Sequence, residues 1–358
     1  MKTYAGIPIR NIWLLMLYAS DFNLAQTRQA ITHIEHPHNS DGLVAWFIQQ
    51  LQDYLRQPDS AYISKHQAST HIRGKVDLKT TYQRQSMKRG QVYCRYAELS
   101  LDHVQHQYLY YALRRVMSEI PSTFKAQALY CQRRFQQMGV SKVAHLELAV
   151  NHTQMGLALQ RLKQLLQLAT LLLEFQIPTT DVGKFSLQQP NVDDVHWLRR
   201  LFEKAMVGFY KKYLQGGWRV LHGAVLTWPQ HAQHSNMPHM KTDLILSHPK
   251  GRCILIDTKF TQIFQQGYYR KHDLLKNQHI YQLYTYLRSQ EYPGSRFQFS
   301  QGILLYPSTG QQVQLNVQLQ HYPIGFYTLD LTQMSAHIEQ QLLSFIGEAV
   351  HIDCDHIS

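Results

Sequence analysis

Cysteine is scarce in this sequence and never paired. The 358 residues include four cysteines, and no two of them form a Cys-x-x-Cys motif. This scatter argues against a zinc ribbon and against a framework of disulfides. Isolated thiols are typical of proteins in a reducing cytosol, so we expect a cytoplasmic protein.

A nucleotide-binding loop and a membrane span are also missing. No Gly-x-x-x-x-Gly-Lys-Ser/Thr motif occurs, so we expect no nucleotide binding through a P-loop. No apolar run approaches the roughly 20 residues that cross a bilayer. Lys2 and Arg10 precede the apolar stretch from Ile12 to Ala19, which is the charge pattern of a secretion signal. Pro8 and Asn11 interrupt that pattern and no cleavage site follows, so we expect no secretion.

Acidic residues are few compared with basic ones. There are 24 Asp and Glu against 36 Lys and Arg, which gives a formal net charge of +12 and a pI near 9.4. Such an excess predicts a polyanionic partner, and nucleic acid is the commonest one. The hydrophobic content of 44% is that of a globular protein. The length predicts two domains, each with its own core.

The order of predicted elements divides the chain near residue 180. Strand patterns lie between residues 60 and 100, and helical patterns follow as far as Phe175. The segment from Ile177 to Gly183 then carries turn and breaker residues, as at a domain boundary. We predict a mixed α/β protein with an N-terminal α+β domain in residues 1–180 and a second domain in residues 181–358.

The most informative stretch of the second domain is a predicted β-hairpin. Two apolar strands, Thr242 to Ser247 and Cys253 to Phe260, are separated by turn residues. If Ser247 pairs with Cys253, then Asp243 falls opposite Asp257. Directly opposed residues have β-carbons roughly 5 Å apart, so this register brings two carboxylates together.

This carboxylate pair suggests metal-dependent chemistry. Two such groups repel each other unless a cation lies between them, and their oxygens are the ligands that Mg²⁺ prefers. Lys259 follows Asp257 by two residues and shares its face. A metal, a bound water and an ammonium suit hydrolysis of a phosphodiester. The alternative is a solvated strand face with a surface ion pair, but the preceding Ile254 and Ile256 indicate a buried strand, where charges need a reason.

Two predicted helices flank the hairpin in sequence. The first runs from about Val195 to Leu214 and carries Glu203 beside its apolar stripe. The second runs from Asn277 to Ser289 and carries Gln282 on its polar face. Gln282 is suited to bind a phosphate or the attacking water. An exposed polar face is the equally weighted alternative.

The order of these residues resembles the PD-(D/E)XK nuclease superfamily, in particular its RecB-type members with a Gln-x-x-x-Tyr helix. The matching residues, in chain order, are Glu203, Asp243, Asp257-Thr258-Lys259, Gln282 and Tyr286. The resemblance implies a restriction-endonuclease-like domain in residues 181–358, with a central mixed sheet flanked by helices.

More specifically, the chain resembles the McrC family, the nuclease subunits of 5-methylcytosine-specific McrBC restriction systems. The segments that carry this likeness are Ile7–Asn11, Leu14–Ala19, Ile72–Asp77, Met240–Asp243 and Ile256–Phe260. The resemblance covers residues 7 to about 306.

The resemblance implies a metal-dependent DNA endonuclease. Asp243, Asp257 and Lys259 are its expected catalytic set, and Glu203 and Gln282 are further candidates. Asp243, Asp257 and the carbonyl of Thr258 would bind Mg²⁺, with Mn²⁺ as the other choice.

The resemblance also implies a partner. This is an McrB-type AAA+ GTPase hexamer that binds double-stranded DNA with modified cytosine and hydrolyses GTP. The N-terminal domain would engage that ring and stimulate hydrolysis, with Arg73 in its basic turn as a candidate contact. Two alternatives stay open, namely a non-enzymatic GTPase activator with a nuclease-like fold and a basic DNA-binding adaptor.

Overall fold

The chain forms two compact units. The computed structural model describes residues 3–20, 22–35, 42–117, 120, 122–143, 160–174, 192–228, 236–265 and 273–347. Unit 1 combines Met1–Gly42 with Val182–Ser358, and unit 2 is Leu43–Asp181. One end of unit 2 is Asp181, and the sequence predicts a domain boundary near residue 180. Unit 1 thus combines residues 1–42 with the C-terminal part of the chain, whereas the sequence predicts an N-terminal domain of residues 1–180.

The N-terminal elements of unit 1 pack with the C-terminal part of that unit. Strands β1 (Thr3–Tyr4) and β2 (Ile7–Pro8) pair antiparallel and lead into helices α1 (Ile9–Ala19) and α2 (Leu24–Glu35). The residues of α1 from Asn11 to Tyr18 are all buried, as its apolar sequence predicts. A helix that is apolar all round must be covered on every side, and unit 1 supplies that cover.

Hydrogen bonds fix α1 within unit 1. The buried Asn11 Nδ2 donates to the carbonyl oxygens of Leu331 at 2.7 Å and Gln333 at 2.8 Å. Lys212 Nζ donates to the carbonyl oxygens of Tyr18 and Ser20, both at 2.6 Å. A cation at these carbonyls also complements the negative end of the helix dipole.

Unit 2 contains a three-stranded sheet and several helices. Its elements are α3 (Gly42–Tyr54), β3 (Ala61–Ser69), β4 (Lys75–Val76), α4 (Leu78–Gln83), β5 (Val92–Ser100), α5 (Val104–Val116), α6 (Lys125–Gln137) and α7 (Gln160–Glu174). The sheet has the order β3-β5-β4 and is antiparallel throughout.

Two residues of the Ile72–Asp77 segment, Gly74 and Asp77, have specific structural roles in this sheet and its neighbouring helix. Gly74 has a φ of +63°, and a β-carbon there would overlap the carbonyl oxygen of Arg95, so only glycine fits. Asp77 caps α4, because its Oδ1 accepts a hydrogen bond from Thr80 N at 3.0 Å.

The C-terminal part of unit 1 carries the main sheet. Its elements are α8 (Val192–Tyr213), β6 (Arg219–His222), β7 (Val225–Leu226), β8 (Met240–Lys241), β9 (Leu244–Ser247), β10 (Cys253–Thr258), β11 (Phe264–Gln265), β12 (Leu274–Leu275), α9 (Asn277–Ser289), β13 (Gln301–Ser308), β14 (Gln314–Leu319), β15 (Tyr322–Asp330) and α10 (Ser335–Ser344).

The described strands of this sheet have the order β14-β15-β13-β10-β9-β6. β13 runs parallel to both β10 and β15, whereas β9 pairs antiparallel with β10 and β6. The sheet is therefore mixed, and helices flank it, as the sequence predicts. Every residue of β10 is buried. On β13, a β-carbon at Gly302 would lie 3.0 Å from the side chains of Leu283 and Leu287, which shows how closely α9 packs.

Candidate active site

The predicted hairpin register is confirmed. Cys253 pairs with Ser247, and the ladder continues to Ile256 opposite Leu244. Beyond that pair the Asp243 side chain takes over the bonding to β10, since its Oδ2 accepts from both Thr258 N and Thr258 Oγ1 at 2.8 Å. Asp243 is thereby fixed at the end of the hairpin, beside the strand that carries Asp257.

Asp257 is a buried carboxylate with an unfavourable environment for its charge. Only 2% of the residue is exposed, and burial together with the negative charge of Asp243 raises its pKa from 3.8 to about 6. The ammonium of Lys259 lies 2.7 Å from Asp257 Oδ2, in an ion pair. The two carboxylates therefore act on each other electrostatically, as the sequence predicts.

Lys259 is held by a chain of hydrogen bonds. Its backbone N–H donates to Leu305 O at 2.9 Å, and its Nζ donates to Gln282 Oε1 at 2.7 Å. Gln282 Nε2 donates to Tyr286 OH at 2.9 Å, and that hydroxyl donates to Lys241 O at 3.2 Å. Gln282 is thus in the site, and its contact there is the lysine.

Thr258 adds a backbone oxygen. In an extended strand the N–H and C=O of one residue point to the same edge. The Thr258 N–H points to Asp243, whereas the next N–H, from Lys259, points to β13. The Thr258 carbonyl therefore points toward the edge where Asp243 lies. Two carboxylates and this carbonyl supply oxygen ligands of the kind that Mg²⁺ takes.

Glu203 contacts a residue outside the cluster of Asp243, Asp257, Lys259 and Gln282. Its Oε1 lies 3.0 Å from His222 Nε2, and His222 pairs with Leu244 on β9, the neighbour of Asp243. Within the described ranges, no three His, Cys, Asp or Glu side chains form a group that could hold a metal. The structure thus unites Asp243, Asp257, Lys259 and Gln282, and leaves Glu203 on helix α8, in contact with His222 of β6.

The sequence did not predict two further residues near the site, His279 and Arg199. Burial lowers the pKa of His279 to about 4, and the positive charges of Lys259 and Arg199 act in the same direction, so this imidazole is neutral at pH 7. Helical spacing provides the signal that could have found both residues. His279 precedes Gln282 by three positions, and Arg199 precedes Glu203 by four.

Fold and site together define the class of protein: a mixed α/β protein with an acid–acid–lysine cluster at the end of a central strand pair. The family profile of the McrBC 5-methylcytosine restriction system component matches residues 3–307. The chain therefore belongs to that family. No curated protein matches the sequence.

Two solved structures are similar to parts or most of this chain. One is a half-complex from a tetradecameric assembly of Thermococcus gammatolerans McrB AAA+ hexamers with bound McrC. It has a TM-score of 0.53 and 14% identity, over 95% of this chain and 75% of that one. The other is the Thermococcus gammatolerans McrBC complex, with a TM-score of 0.36 and 17% identity over 58% and 59% of the two chains. At these identities the first likeness concerns the fold. Among the described helices, none has the length and apolar character needed to cross a bilayer.

Proposed function

We propose that the chain is the DNA-cutting subunit of a modification-dependent restriction complex, and that unit 1 is a PD-(D/E)XK nuclease domain. The observation that carries this proposal is the cluster at the end of β10. Asp243, Asp257 and Lys259 converge there with Gln282, in the order that the superfamily resemblance implies.

The residues present fit a divalent metal. Asp257 is a buried carboxylate whose pKa is raised by burial and by the charge of Asp243, and a cation between the two carboxylates relieves that repulsion. Asp243, Asp257 and the Thr258 carbonyl would hold Mg²⁺ or Mn²⁺. A metal bound there would supply a hydroxide-like water at neutral pH and neutralise charge on the phosphate.

The chain's own residues have separate roles in this chemistry. Asp243 and Asp257 provide the negative charge that selects a cation, and only the ionised carboxylates can do so. Lys259 stabilises the charge that develops on the attacked phosphate. Gln282 orients that lysine through the 2.7 Å hydrogen bond to its Nζ, so its contribution is positioning.

The partner in this proposal is an McrB-type AAA+ GTPase hexamer, which supplies recognition of double-stranded DNA with modified cytosine. Support comes from the family membership and from the surface of unit 2. Large side chains there are exposed, including Tyr62 and Tyr82 at 76% and 84%, which is typical of interaction surfaces. Arg73, stacked over the Tyr96 ring at 5.8 Å, remains the candidate for stimulating GTP hydrolysis.

The test is a DNA cleavage assay with the GTPase partner, GTP and Mg²⁺, run beside a GTPase assay. Asp257→Ala removes a metal ligand, so it should abolish cleavage while stimulation of the partner's GTPase stays at the wild-type level. The exposed Asp273→Ala is the matched control and should keep both activities. Undiminished cutting by Asp257→Ala would refute the assignment. Stimulation of GTP hydrolysis by a wild-type chain that never cuts would instead favour a non-enzymatic activator.

A further inference from the structure

Helix α9 turns one stripe of side chains toward the main sheet. Residues at helical spacing along this stripe are His279, Gln282, Leu283, Tyr286 and Leu287. The two leucines are buried in one cluster with Leu255 of β10, which shares the strand face of Asp257. His279 therefore lies one helical turn before Gln282, over the same sheet face as the candidate active site.

Tyr306 anchors the imidazole of His279 beside Lys259. The Lys259 N–H donates to the carbonyl oxygen of Leu305, the residue before Tyr306 on β13, so the parallel register of the two strands brings Lys259 alongside Tyr306. Neighbouring strands are about 4.8 Å apart. The Tyr306 hydroxyl lies 3.0 Å from His279 Nδ1. The imidazole and the ammonium therefore lie in the same part of the site.

The buried hydroxyl of Tyr306 determines which ring nitrogen of His279 carries the proton. Tyr306 is 1% exposed, and burial together with the charge of Asp257 raises its pKa, so the phenol keeps its proton. A buried hydroxyl proton needs an acceptor, and His279 Nδ1 is its partner among the described residues. Because the imidazole is neutral at pH 7, Nδ1 can accept only if the ring proton is on Nε2.

The Nε2–H of His279 has no partner in the part of the chain that the structure describes. The residue is half-buried, so part of it is open to solvent. Burial, and then the positive charges of Lys259, Lys276 and Arg199, hold the pKa of the ring low. A neutral N–H donor among three cations suits an acceptor with negative charge, such as a phosphodiester oxygen.

We propose that His279 is a catalytic residue, whose Nε2–H donates a hydrogen bond to a non-bridging oxygen of the phosphodiester that Lys259 contacts. Tyr306 is a positioning residue, since it acts by holding the imidazole in the tautomer that can donate. The proposal rests on the proposed nuclease function, which supplies the phosphodiester. Because negative charge grows on that oxygen during attack, the hydrogen bond strengthens in the transition state and contributes to kcat more than to KM.

The first experiment compares His279→Asn with His279→Gln. The shorter Asn amide reaches the position of Nδ1 and can still bond Tyr306, whereas the Gln amide places an N–H donor near the position of Nε2. The matched control is His337→Asn, since His337 is an exposed histidine at the third position of α10, as His279 is the third residue of α9. Thermal melts verify that each variant folds as the wild type does.

Cleavage is measured with the GTPase partner, GTP and Mg²⁺. His279→Asn should lower kcat about 10- to 100-fold, as expected for the loss of one hydrogen bond to a charged group, with little change in KM for DNA. His279→Gln should keep most of the activity, and Tyr306→Phe should fall between the two. The His337→Asn control should match the wild type.

The second experiment does not depend on cutting. In the full-length chain labelled with ¹⁵N-histidine, NMR reports which ring nitrogen carries the proton, and the His279 signals are those missing from His279→Gln. The wild type at pH 7 should have its proton on Nε2, and Tyr306→Phe should show a mixture of tautomers. Addition of a short DNA duplex, with Ca²⁺ in place of Mg²⁺ to slow cutting, should shift the Nε2 signal.

A proton on Nδ1 in the wild type would overturn the proposal, as would equal activity of His279→Asn and His279→Gln. The outcome is separable from the nuclease proposal. A wild-type chain that does not cut would refute the nuclease, and the Nε2 signal would then decide the role of His279, with an unmoved signal refuting the phosphate contact. Cutting at the same rate by every variant would uphold the nuclease and exclude His279.

Discussion

At the scale of single residues, the ionised form of Asp257 makes the folded chain less stable than its protonated form does. The raised pKa of Asp257 means that the folded chain binds this proton more tightly than the unfolded chain does. The unfolding free energy should therefore fall as pH rises from about 4 to about 6, where the folded form still holds the proton and the unfolded form has lost it. Carboxylates with a pKa raised by burial and by a neighbouring charge are typical of active sites.

The same pKa predicts how cleavage depends on pH. Below about pH 6 Asp257 is protonated and loses its value as a metal ligand, so kcat/KM at low Mg²⁺ should fall about tenfold per pH unit. Because metal and proton compete, a tenfold rise in Mg²⁺ should move the midpoint to lower pH by up to about one unit. The check is a pair of pH–rate profiles at two Mg²⁺ concentrations. A midpoint that ignores Mg²⁺ would count against the ligand role of Asp257.

At the scale of elements, helices α1 and α8 approach each other closely at Gly208. A β-carbon at Gly208, in the middle of α8, would overlap the carbonyl oxygen of Tyr18 at the end of α1. Glycine costs a helix about 1 kcal/mol relative to alanine. Its presence is explained by this contact, which lets the two helices approach closely.

Gly208→Ala therefore distinguishes two effects of opposite sign. Helix propensity alone predicts a gain of about 1 kcal/mol in unfolding free energy. The overlap with backbone predicts instead a loss of about 2 kcal/mol or more, which urea denaturation would measure. Gly302→Ala is the comparison, since the nearest atoms to its methyl would be side-chain atoms of Leu283 and Leu287, at 3.0 Å and beyond, and not backbone, so it should be less harmful. A stabilised Gly208→Ala protein would contradict the close packing of α1 on α8.

Sequence patterns predicted the positions of strands and helices better than they predicted the tertiary contacts between them. The register of β9 with β10 followed from alternation and the turn after Ser247, and α9 begins and ends where its periodicity placed it. The end of the ladder was not foreseen, because a bond from the Asp243 side chain to Thr258 is a tertiary detail. The contact of Glu203 with His222 was missed for a similar reason. Periodicity fixes the face of a helix, but the rotation of α8 against β6 depends on the whole core.

At the scale of the whole molecule, the division into units departs most from the sequence prediction. A helix that is apolar all round, such as α1, is predicted to be buried, but its sequence does not indicate which elements cover it. The sequence predicts a junction near position 180 from its turn residues, and unit 2 ends at Asp181. The other junction, near Gly42, has no comparable local signal, so the insertion of unit 2 within unit 1 was not predictable.

The two-unit division makes a prediction about excision. A chain that joins residues 1–42 to 182–358 through about 12 Gly/Ser residues should unfold cooperatively and keep its metal site, because α1 remains on its core. Residues 182–358 alone should fold poorly, because they expose the apolar surface that α1 covers. Circular dichroism melts of both chains provide the comparison. Equal stability of the two would contradict the assignment of α1 to unit 1.

The central claim is that Asp243 and Asp257 form one divalent-metal site, and the most direct test is Mn²⁺ binding to the full-length chain, followed by electron paramagnetic resonance at pH 7.5. We predict saturable binding by the wild type, its loss in Asp243→Asn and in Asp257→Asn, and its retention in the exposed Asp273→Asn control. Wild-type binding in Asp257→Asn, or no binding by the wild type, would contradict the claim.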